Sequence, residues 1–324
     1  MTQALTRTNT SSFLLPPSIE AMGESAAKAF IDFFTAQIRN ANTRAAYGRN
    51  VSAFLNWIDE LGVDLRSVEA FHIAAYIEHL GCSKEEGGRG ASIATVKQHL
   101  AAIRRLCDFL VIRQVLPRNP SQEVRGPKQI IRTGKTPILT GPEARELFES
   151  IDLSTPIGLR DRALIAAMLY TFGRISAVLG MDTDDYFQVG RTMRLRLIEK
   201  GGRQHEMPAH HSLIEYMDAY LVGLGEVKGP LFRTINRTRT GYTTNRLDRS
   251  EAWAMVRRRT KAAGLGGRFG NHSFRGTGIT AYLKNEGSLD QAQFMAGHAN
   301  ISTTKIYDRR EQETTLDEVE RIIL

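Results

Sequence analysis

The sequence predicts a mainly α-helical protein, with a helical N-terminal domain followed by a mostly helical domain that contains one small antiparallel β-sheet. Apolar residues recur at helical spacing through most of the chain, which predicts helices. Residues 192–208 instead alternate apolar and basic residues around two glycines, which predicts a β-hairpin. A proline-rich stretch at 117–137 separates the two halves, and 324 residues are many for one hydrophobic core, so two domains are expected.

The predicted division of the chain follows these patterns. Residues 1–24 are polar and lack a sustained period, so they are expected to form a flexible arm. Residues 25–116 form the helical domain, residues 117–137 a linker and residues 138–324 the second domain. The linker is basic and has a single acid, Glu123. This composition suits a path along a phosphate backbone as well as a plain solvated connection.

Two helices are clearest in the first domain. One places apolar side chains at i, i+4, i+7, i+8 and i+11, and Asn42 or Thr43 is expected to cap its start. A second apolar stripe follows a charged, glycine-rich loop. The two faces consist of Tyr47, Val51, Phe54, Leu55 and Ile58, and of Val96, Leu100, Ile103, Cys107 and Leu110.

In the second domain a helix is expected to begin at Thr140, which caps it, with Pro142 in the first turn. The predicted hairpin turns at Gly201 and Gly202. Further helices are predicted at 158–172, 212–224, 244–264, 273–286, 288–297 and 315–323.

The charge balance narrows the class of partner. The formal net charge is +8 and the isoelectric point about 9.6, which favours a polyanion, with nucleic acid first and an acidic membrane surface second. The longest apolar run, 163–170, is too short to span a bilayer, and no strongly basic amphipathic stretch stands out, so no membrane partner is expected. The absence of a signal peptide and the presence of only two cysteines, Cys82 and Cys107, predict a reducing, cytoplasmic location with both thiols buried.

No metal or cofactor is expected. The sequence has no H-E-x-x-H, no zinc-type spacing of cysteine and histidine, and no phosphate-binding lysine loop. Residues 182–185, "DTDD", begin like a calcium loop, but Tyr186 occupies the place of the next oxygen ligand. His210 and His211 lack a third ligand nearby and are expected to lie in a turn.

A set of cations and one hydroxyl remains in the second domain. Taken alone, Arg174 has the pattern of an arginine at a helix C-terminus, and Lys200 that of a solvated turn lysine. His272 and Arg275, at i and i+3, would share a helix face. The candidate catalytic residues are Arg174, Lys200, His272, Arg275, His298 and Tyr307.

In their order along the chain, these residues resemble the tyrosine recombinase (phage integrase) family, in its simple two-domain, Xer-like form. The family has an arginine, a hairpin lysine, an H-x-x-R motif, a G-H pair and a tyrosine in this order. "MAGHANISTTKIY" is similar to its C-terminal block, and "NTRAAYGRNVSAFLNWI" to part of its N-terminal core-binding domain. The resemblance covers residues 25–310 and makes 138–324 the catalytic domain. Two departures are Ala177, where many relatives have an acid, and Gly276, where relatives often have a second histidine.

The resemblance implies DNA cleavage and rejoining through a 3′-phosphotyrosyl intermediate, without ATP or metal. Physical chemistry explains the residue types, because a phosphodiester is anionic and a phenol with a pKa near ~10 is about one part in a thousand ionised at pH 7. Arg174 and Arg275 are expected to neutralise the non-bridging oxygens. Lys200 is expected to protonate the departing 5′ oxygen, and His272 to accept the phenolic proton of Tyr307. The remaining histidine, His298, is expected to bind or place the phosphate.

Double-stranded DNA with specific recombination sites is the expected partner. Seven basic residues that are expected to be exposed are candidate phosphate contacts, and each is equally compatible with an ordinary solvated side chain. They are Lys97, Arg104, Arg105, Arg239, Arg246, Arg257 and Arg258. The apolar face of the helix at 315–323 either packs on its own domain or, as the resemblance suggests, docks on a neighbouring protomer and builds a homotetramer on two DNA sites.

The sequence is compatible with three functions. The first is a site-specific recombinase that performs integration, excision or resolution. The second is a type IB topoisomerase-like enzyme, which nicks and reseals one duplex as a monomer. The third is a DNA-binding protein without catalysis, for which the departure at Ala177 is the sequence support.

Overall fold

The computed structural model describes residues 15–128, 134, 136–199 and 201–309. The chain divides into two compact units, residues 1–130 and 131–324. The predicted fold class is confirmed, because most described residues are helical and the strands are few and antiparallel.

The described part of the first unit is helical. Its core contains Phe30, Phe33, Phe54 and Tyr76, all of them at most 1% exposed. A π-helical turn (Phe33–Gln37) and a 3₁₀ turn (Leu65–Ser67) lie next to the longer helices. The helices are α1 (Pro17–Glu20), α2 (Glu24–Asp32), α3 (Ala41–Glu60), α4 (Ala70–Gly81) and α5 (Ile93–Ile112).

The two predicted helices of this unit are α3 and α5. The predicted cap of α3 is two or three residues late, because Asn40 is the cap and its side chain accepts a hydrogen bond from the backbone N–H of Thr43. Helix α4 lies within the region predicted to be helical, but its bounds were not predicted. Its capping box uses His72, whose Nδ1 accepts a hydrogen bond from the backbone N–H of Glu69 at 3.0 Å. A capping box usually has a glutamate or glutamine at this position, so the sequence lacked the usual signal for the start of a helix.

Three expectations for the first half of the chain are corrected. Ile19, within the predicted flexible arm, is fully buried on α1, and Met22 packs in the same core. Val124, within the predicted linker, is 6% exposed and belongs to that core as well. Cys107 is buried as predicted, but Cys82 is exposed because it lies just beyond the end of α4.

The second unit surrounds a helix at Pro156–Tyr170, whose residues 163–169 are all buried. Where a described helix of this unit was predicted, it begins within two residues of the predicted start, except for the helix predicted at 244–264. There, residues 242–246 form a strand, and the helix begins only after Asp248, which caps it. The helices are α6 (Gly141–Glu149), α7 (Pro156–Tyr170), α8 (Ile175–Gly180), α9 (His211–Leu224), α10 (Arg249–Ala262), α11 (Asn271–Lys284), α12 (Leu289–Ala296) and α13 (Ile301–Lys305).

The described residues of this unit form two antiparallel sheets, whereas one was predicted. The predicted hairpin is confirmed as part of a three-stranded sheet in the order β1-β2-β3, and its register pairs Leu197 with His205. The second sheet pairs two short strands. The strands are β1 (Tyr186–Val189), β2 (Thr192–Ile198), β3 (Gln204–Pro208), β4 (Arg233–Ile235) and β5 (Tyr242–Arg246).

Candidate active site

Arg174 lies in the tight connection between α7 and α8. The hydroxyl of Thr171 donates to the carbonyl of Ala167 at 2.6 Å and accepts from the N–H of Gly173 at 3.0 Å, which closes the end of α7. Phe172 then has φ 52°, a left-handed conformation that is uncommon for a non-glycine residue and is found at functional sites. Arg174 is therefore the N-cap residue of α8, and its side chain is not a C-terminal partner of the helix dipole.

Arg275 is a buried residue whose hydrogen bonds connect several segments of the site, and we call it the hub. It lies on α11, is 2% exposed, and its guanidinium donates to the carbonyl of Phe172, two residues before Arg174. It also donates to the carbonyl of Ala296 at 2.7 Å and to Nε2 of His298 at 2.6 Å. One side chain thus fixes the turn that carries Arg174, the end of α12 and the histidine that follows it.

His298 has both ring nitrogens engaged. A guanidinium only donates, so Nε2 accepts from Arg275 and the proton lies on Nδ1, which donates to the buried hydroxyl of Thr304 at 2.9 Å. Burial and the nearby charges of Arg275 and Arg174 lower the pKa of His298 to about 4. The imidazole is neutral at pH 7, and its contacts support Arg275 from the side of α13.

This arrangement predicts a pH dependence of stability. Between pH 6.5 and pH 4 the unfolded chain protonates His298 while the folded chain does not, so acid favours the unfolded state. The titration of His298 should therefore lower the free energy of unfolding by about 1.4 kcal/mol for each pH unit as the pH falls through this range. Urea unfolding of the wild type and of His298→Gln measures it, because the difference between the two proteins isolates this group. Parallel pH curves would contradict the assignment.

Tyr307 follows α13 and is half-buried at the edge of the site. Its backbone N–H donates to the carbonyl of Thr304 at 2.9 Å, and its own carbonyl accepts from the hydroxyl of Thr280 on α11, also at 2.9 Å. The phenol ring is parallel to the imidazole of His298, with centroids 6.1 Å apart and 9° between the planes. Tyr307 is thus held from both sides by its backbone, and its ring lies beside the group that supports Arg275.

The departure at Gly276 has a local cause. A Cβ atom there would lie 3.0 Å from Cγ2 of Ile138 and 3.2 Å from Cε1 of Tyr307. The glycine therefore lets the phenol ring pack directly against α11. A histidine at this position would require Ile138 or the ring of Tyr307 to move.

His272 lies one turn before Arg275 and is exposed. Loss of hydration and the charges of Arg275, Arg249 and Arg174 lower the pKa of its imidazole, which favours the neutral, proton-accepting form. It borders an open cavity of about 710 Å³ whose wall is basic and aromatic. The lining includes Arg249, Trp253, Arg268, Asn271 and His272.

Arg275 has a second guanidinium as an electrostatic neighbour. Burial and the neighbouring Arg174 lower the pKa of Arg275 to about 10, while Glu199 and Tyr307 act in the opposite direction. Arg275 still carries its charge at neutral pH, beside a second guanidinium. Two cations held this close, with neutral imidazoles around them, make a site for an anion.

One member of the site escaped prediction, and one predicted member lies outside the described residues. Glu199, at the end of β2, accepts a hydrogen bond from Nη1 of Arg174, and its side chain is 5% exposed. An acid beside the hairpin lysine was the only signal in the sequence. Lys200, the predicted general acid, is not among the described residues, and neither is the helix predicted at 315–323.

The candidate DNA contacts fall into two groups. The guanidinium of Arg104 donates to the carbonyls of Ser121 and Val124, and that of Arg246 to the carbonyls of Leu179 and Met181 and to the carboxylate of Asp182, so both stabilise the fold. The others are exposed and stay candidates: Lys97, Arg105, Arg239, Arg257 and Arg258.

Among the described residues, no cluster of histidine, cysteine and acidic side chains has the arrangement of a metal site. In the same part of the chain, no helix is long and apolar enough to cross a membrane.

Comparison with known families agrees with this site. Residues 137–314 match the model of the phage integrase family, and residues 27–114 match that of the phage integrase N-terminal SAM-like domain. The fold and the site therefore define a tyrosine recombinase, a DNA strand-transferring enzyme. The chain belongs to the phage integrase family, as the order of its motifs indicated.

Individual relatives are of the Xer type. The chain is 29% identical over 276 residues to tyrosine recombinase XerD of Mycobacterium leprae, covering 82% of this chain and 86% of the relative. It is 28% identical over 303 residues to XerD of Chlorobaculum tepidum, covering 90% and 93%.

Solved structures share the fold. The XerH recombinase bound to a palindromic difH substrate, in a post-cleavage complex, superposes with a TM-score of 0.68 at 18% identity, covering 91% of this chain and 94% of that one. A lambda integrase dimer bound to a COC′ core site gives 0.67 at 17% identity, covering 92% and 80%. A lambda integrase tetramer bound to a Holliday junction gives 0.65 at 18% identity, covering 89% and 80%.

Proposed function

We propose that this protein is a site-specific DNA recombinase that cleaves and rejoins strands through a 3′-phosphotyrosyl intermediate on Tyr307. The observation that carries the proposal is the hub at Arg275. Its guanidinium bonds the turn before Arg174 and the imidazole of His298, whose ring lies parallel to that of Tyr307. Two permanent cations and one phenol therefore share a single site.

In the proposed step, the phenolic oxygen of Tyr307 bonds to the scissile phosphorus and the bond from phosphorus to the 5′ oxygen breaks. Arg174 and Arg275 neutralise the non-bridging oxygens as negative charge develops. His272, neutral and exposed beside the cavity, accepts the phenolic proton. On the resemblance to the family, Lys200 supplies the proton that the departing 5′ oxygen takes up.

In the proposed step His298 acts on the phosphate through Arg275. Both of its ring nitrogens are occupied, by Arg275 and Thr304, so it holds Arg275 in place and leaves the direct contact with the phosphate to the guanidinium. The phosphotyrosyl ester keeps the energy of the broken bond. A free 5′ hydroxyl from another strand can therefore attack it, which releases Tyr307 and rejoins the DNA without ATP.

The proposed partner is double-stranded DNA, with a homotetramer on two sites. The similar structures include a recombinase bound to its substrate and an integrase tetramer bound to a Holliday junction, which support this assembly. Three expectations stay predictions. They are the docking of residues 315–323 on a neighbouring protomer, the contact of the linker with the DNA duplex and a cytoplasmic location.

Covalent capture tests the function directly. A library of randomised duplexes, each with a nick near the variable segment, is incubated with the protein, and the DNA that stays attached after denaturation is sequenced. Enrichment of one sequence, with a 3′ end blocked by protein and a free 5′ hydroxyl, is the expected result. No attached DNA from any part of the library would contradict the proposed chemistry.

Two copies of the recovered site then separate the remaining alternatives. Exchange of flanking DNA between two sites is expected for a recombinase. Relaxation of supercoiled DNA that carries one site, without exchange between two, would instead favour the topoisomerase-like function.

A further inference from the structure

Glu199 is a buried carboxylate in the candidate site, and neither the sequence motifs nor the proposed step gives it a role. Its side chain is 5% exposed, and it accepts a hydrogen bond from Nη1 of Arg174. The removal of a carboxylate from water costs several kcal/mol unless a cation and hydrogen bonds compensate for it. The guanidinium of Arg174 supplies that compensation.

The backbone holds Glu199 in place. Its N–H donates to the carbonyl of Arg203 at 2.8 Å, and its carbonyl accepts from the N–H of Gly202 at 3.0 Å, so the residue ends β2 in a fixed turn. On the other side it packs against Gly297, where an added Cβ would lie 3.4 Å from Cγ of Glu199. Gly297 also has φ 58°, which ends α12 and directs the chain to His298. The carboxylate is therefore fixed between the hairpin and the segment that carries His298.

The geometry leaves Arg174 available to an anion. A guanidinium has five N–H donors, and the contact with Glu199 uses Nη1. The side chain of Arg174 is 29% exposed while that of Glu199 is 5% exposed. The carboxylate thus binds the buried side of the guanidinium and leaves the solvent-exposed side of the guanidinium accessible to phosphate oxygens.

No acid on α8 could perform this task in place of Glu199. The third residue after Arg174 is Ala177, 3% exposed, which has no polar side-chain atom. The carboxylate that reaches Arg174 is that of Glu199, which directly follows β2, so the same contact also fixes this end of the strand.

We infer that Glu199 is a positioning residue, which orients Arg174 toward the non-bridging oxygens of the scissile phosphate. This inference rests on the proposed function and deepens it. A carboxylate that orients an arginine acts on the chemical step. It is not expected to add affinity for DNA, because its own charge repels the phosphate backbone.

The test compares Glu199→Gln with the wild type and with Glu206→Gln, a matched control. Glu206 lies on β3 of the same hairpin, pairs with Arg196 at 2.9 Å and is 36% exposed. Single-turnover cleavage of the nicked site is measured at saturating DNA, together with non-covalent affinity. Glu199→Gln is expected to cleave about 10- to 100-fold more slowly, as when a partner that orients a functional group is removed, without weaker binding. The control variant should cleave at the wild-type rate.

A second substrate separates positioning from loss of folded protein. It carries a methylphosphonate at the scissile position, which has no negative charge for Arg174 to neutralise. The ratio of the rates on phosphate and on methylphosphonate is internal to each protein, so a smaller folded fraction leaves it unchanged. For Glu199→Gln this ratio is expected to fall by about tenfold relative to the wild type.

The outcomes are distinct. An unchanged ratio would show that Glu199 only stabilises the fold, and a wild-type rate would show that it has no role. Faster cleavage by Glu199→Gln would show that the carboxylate competes with the phosphate for Arg174, and each of these results would overturn the inference. If the wild type formed no adduct, the proposed function itself would fail before Glu199 was tested.

Discussion

Tyr307→Phe is expected to abolish the covalent protein–DNA adduct while DNA binding and the fold persist. The substitution removes one oxygen and keeps the ring that lies parallel to His298, as well as the backbone bonds to Thr304 and Thr280. Among the described residues of the site, Tyr307 alone supplies a phenol, so the loss should be complete within detection. Denaturing electrophoresis after incubation with the nicked site measures it, and a mobility-shift assay measures binding.

Tyr282→Phe is the matched control. Tyr282 lies on α11, is half-buried like Tyr307, and its ring edge contacts Phe172 at a centroid distance of 6.0 Å. This variant should form the adduct at the wild-type level. An adduct of normal yield with Tyr307→Phe would show that the nucleophile is another residue.

Arg275→Ala is expected to damage both stability and catalysis. It leaves three buried acceptors, the carbonyls of Phe172 and Ala296 and Nε2 of His298, without their donor. The free energy of unfolding should fall by about 3–5 kcal/mol, as when one partner of a buried charged network is removed. Cleavage by the folded fraction should fall by about 100-fold or more, because a preorganised charge at the phosphate is lost. Urea unfolding and single-turnover cleavage measure the two effects.

Two further variants separate these effects. Arg258→Ala removes an exposed arginine of α10 and should leave the free energy of unfolding nearly unchanged. Arg275→Lys keeps the charge but lacks the planar fork, so it should recover part of the stability and little of the rate. Full activity in Arg275→Lys would contradict a role that depends on the geometry of the guanidinium.

Much of the site was predictable from the sequence because its residue types are unusual in combination. The two arginines, the histidines and the tyrosine occur in one order along the chain. The local backbone conformation accounts for the glycine of the G-H pair and for the hairpin glycines. The hairpin was predicted because alternating residues around Gly201 and Gly202 leave few other structures. The contacts among these residues were not predicted, because they join segments that are far apart in sequence.

The parts that escaped prediction depend on tertiary contacts. Glu199 looks like an ordinary hairpin acid in the sequence, and only the fold brings it to Arg174 across 25 positions. Thr304 belongs to the C-terminal motif, but its bond to Nδ1 of His298 requires the turn after Gly297. The left-handed Phe172 has no local signal, since a phenylalanine rarely adopts that conformation without support from buried partners.

The basic residues illustrate a different limit. A positive charge in the sequence predicts exposure, yet Arg104 and Arg246 use their guanidiniums to bind backbone carbonyls within their own units. Arginine serves in both roles because its five donors suit carbonyl groups as well as phosphates. Net charge therefore predicted the class of partner better than the individual contacts.

Identification of the amino acid that is joined to DNA establishes whether Tyr307 is the nucleophile. The wild-type adduct on the recovered site is digested with nuclease and protease, and mass spectrometry locates the residue that carries the nucleotide remnant. The expected result is a single modified peptide in which a 3′-phosphoryl group is esterified to the phenolic oxygen of Tyr307. A remnant on any other residue, or one attached through a 5′ phosphate, would contradict the proposed mechanism.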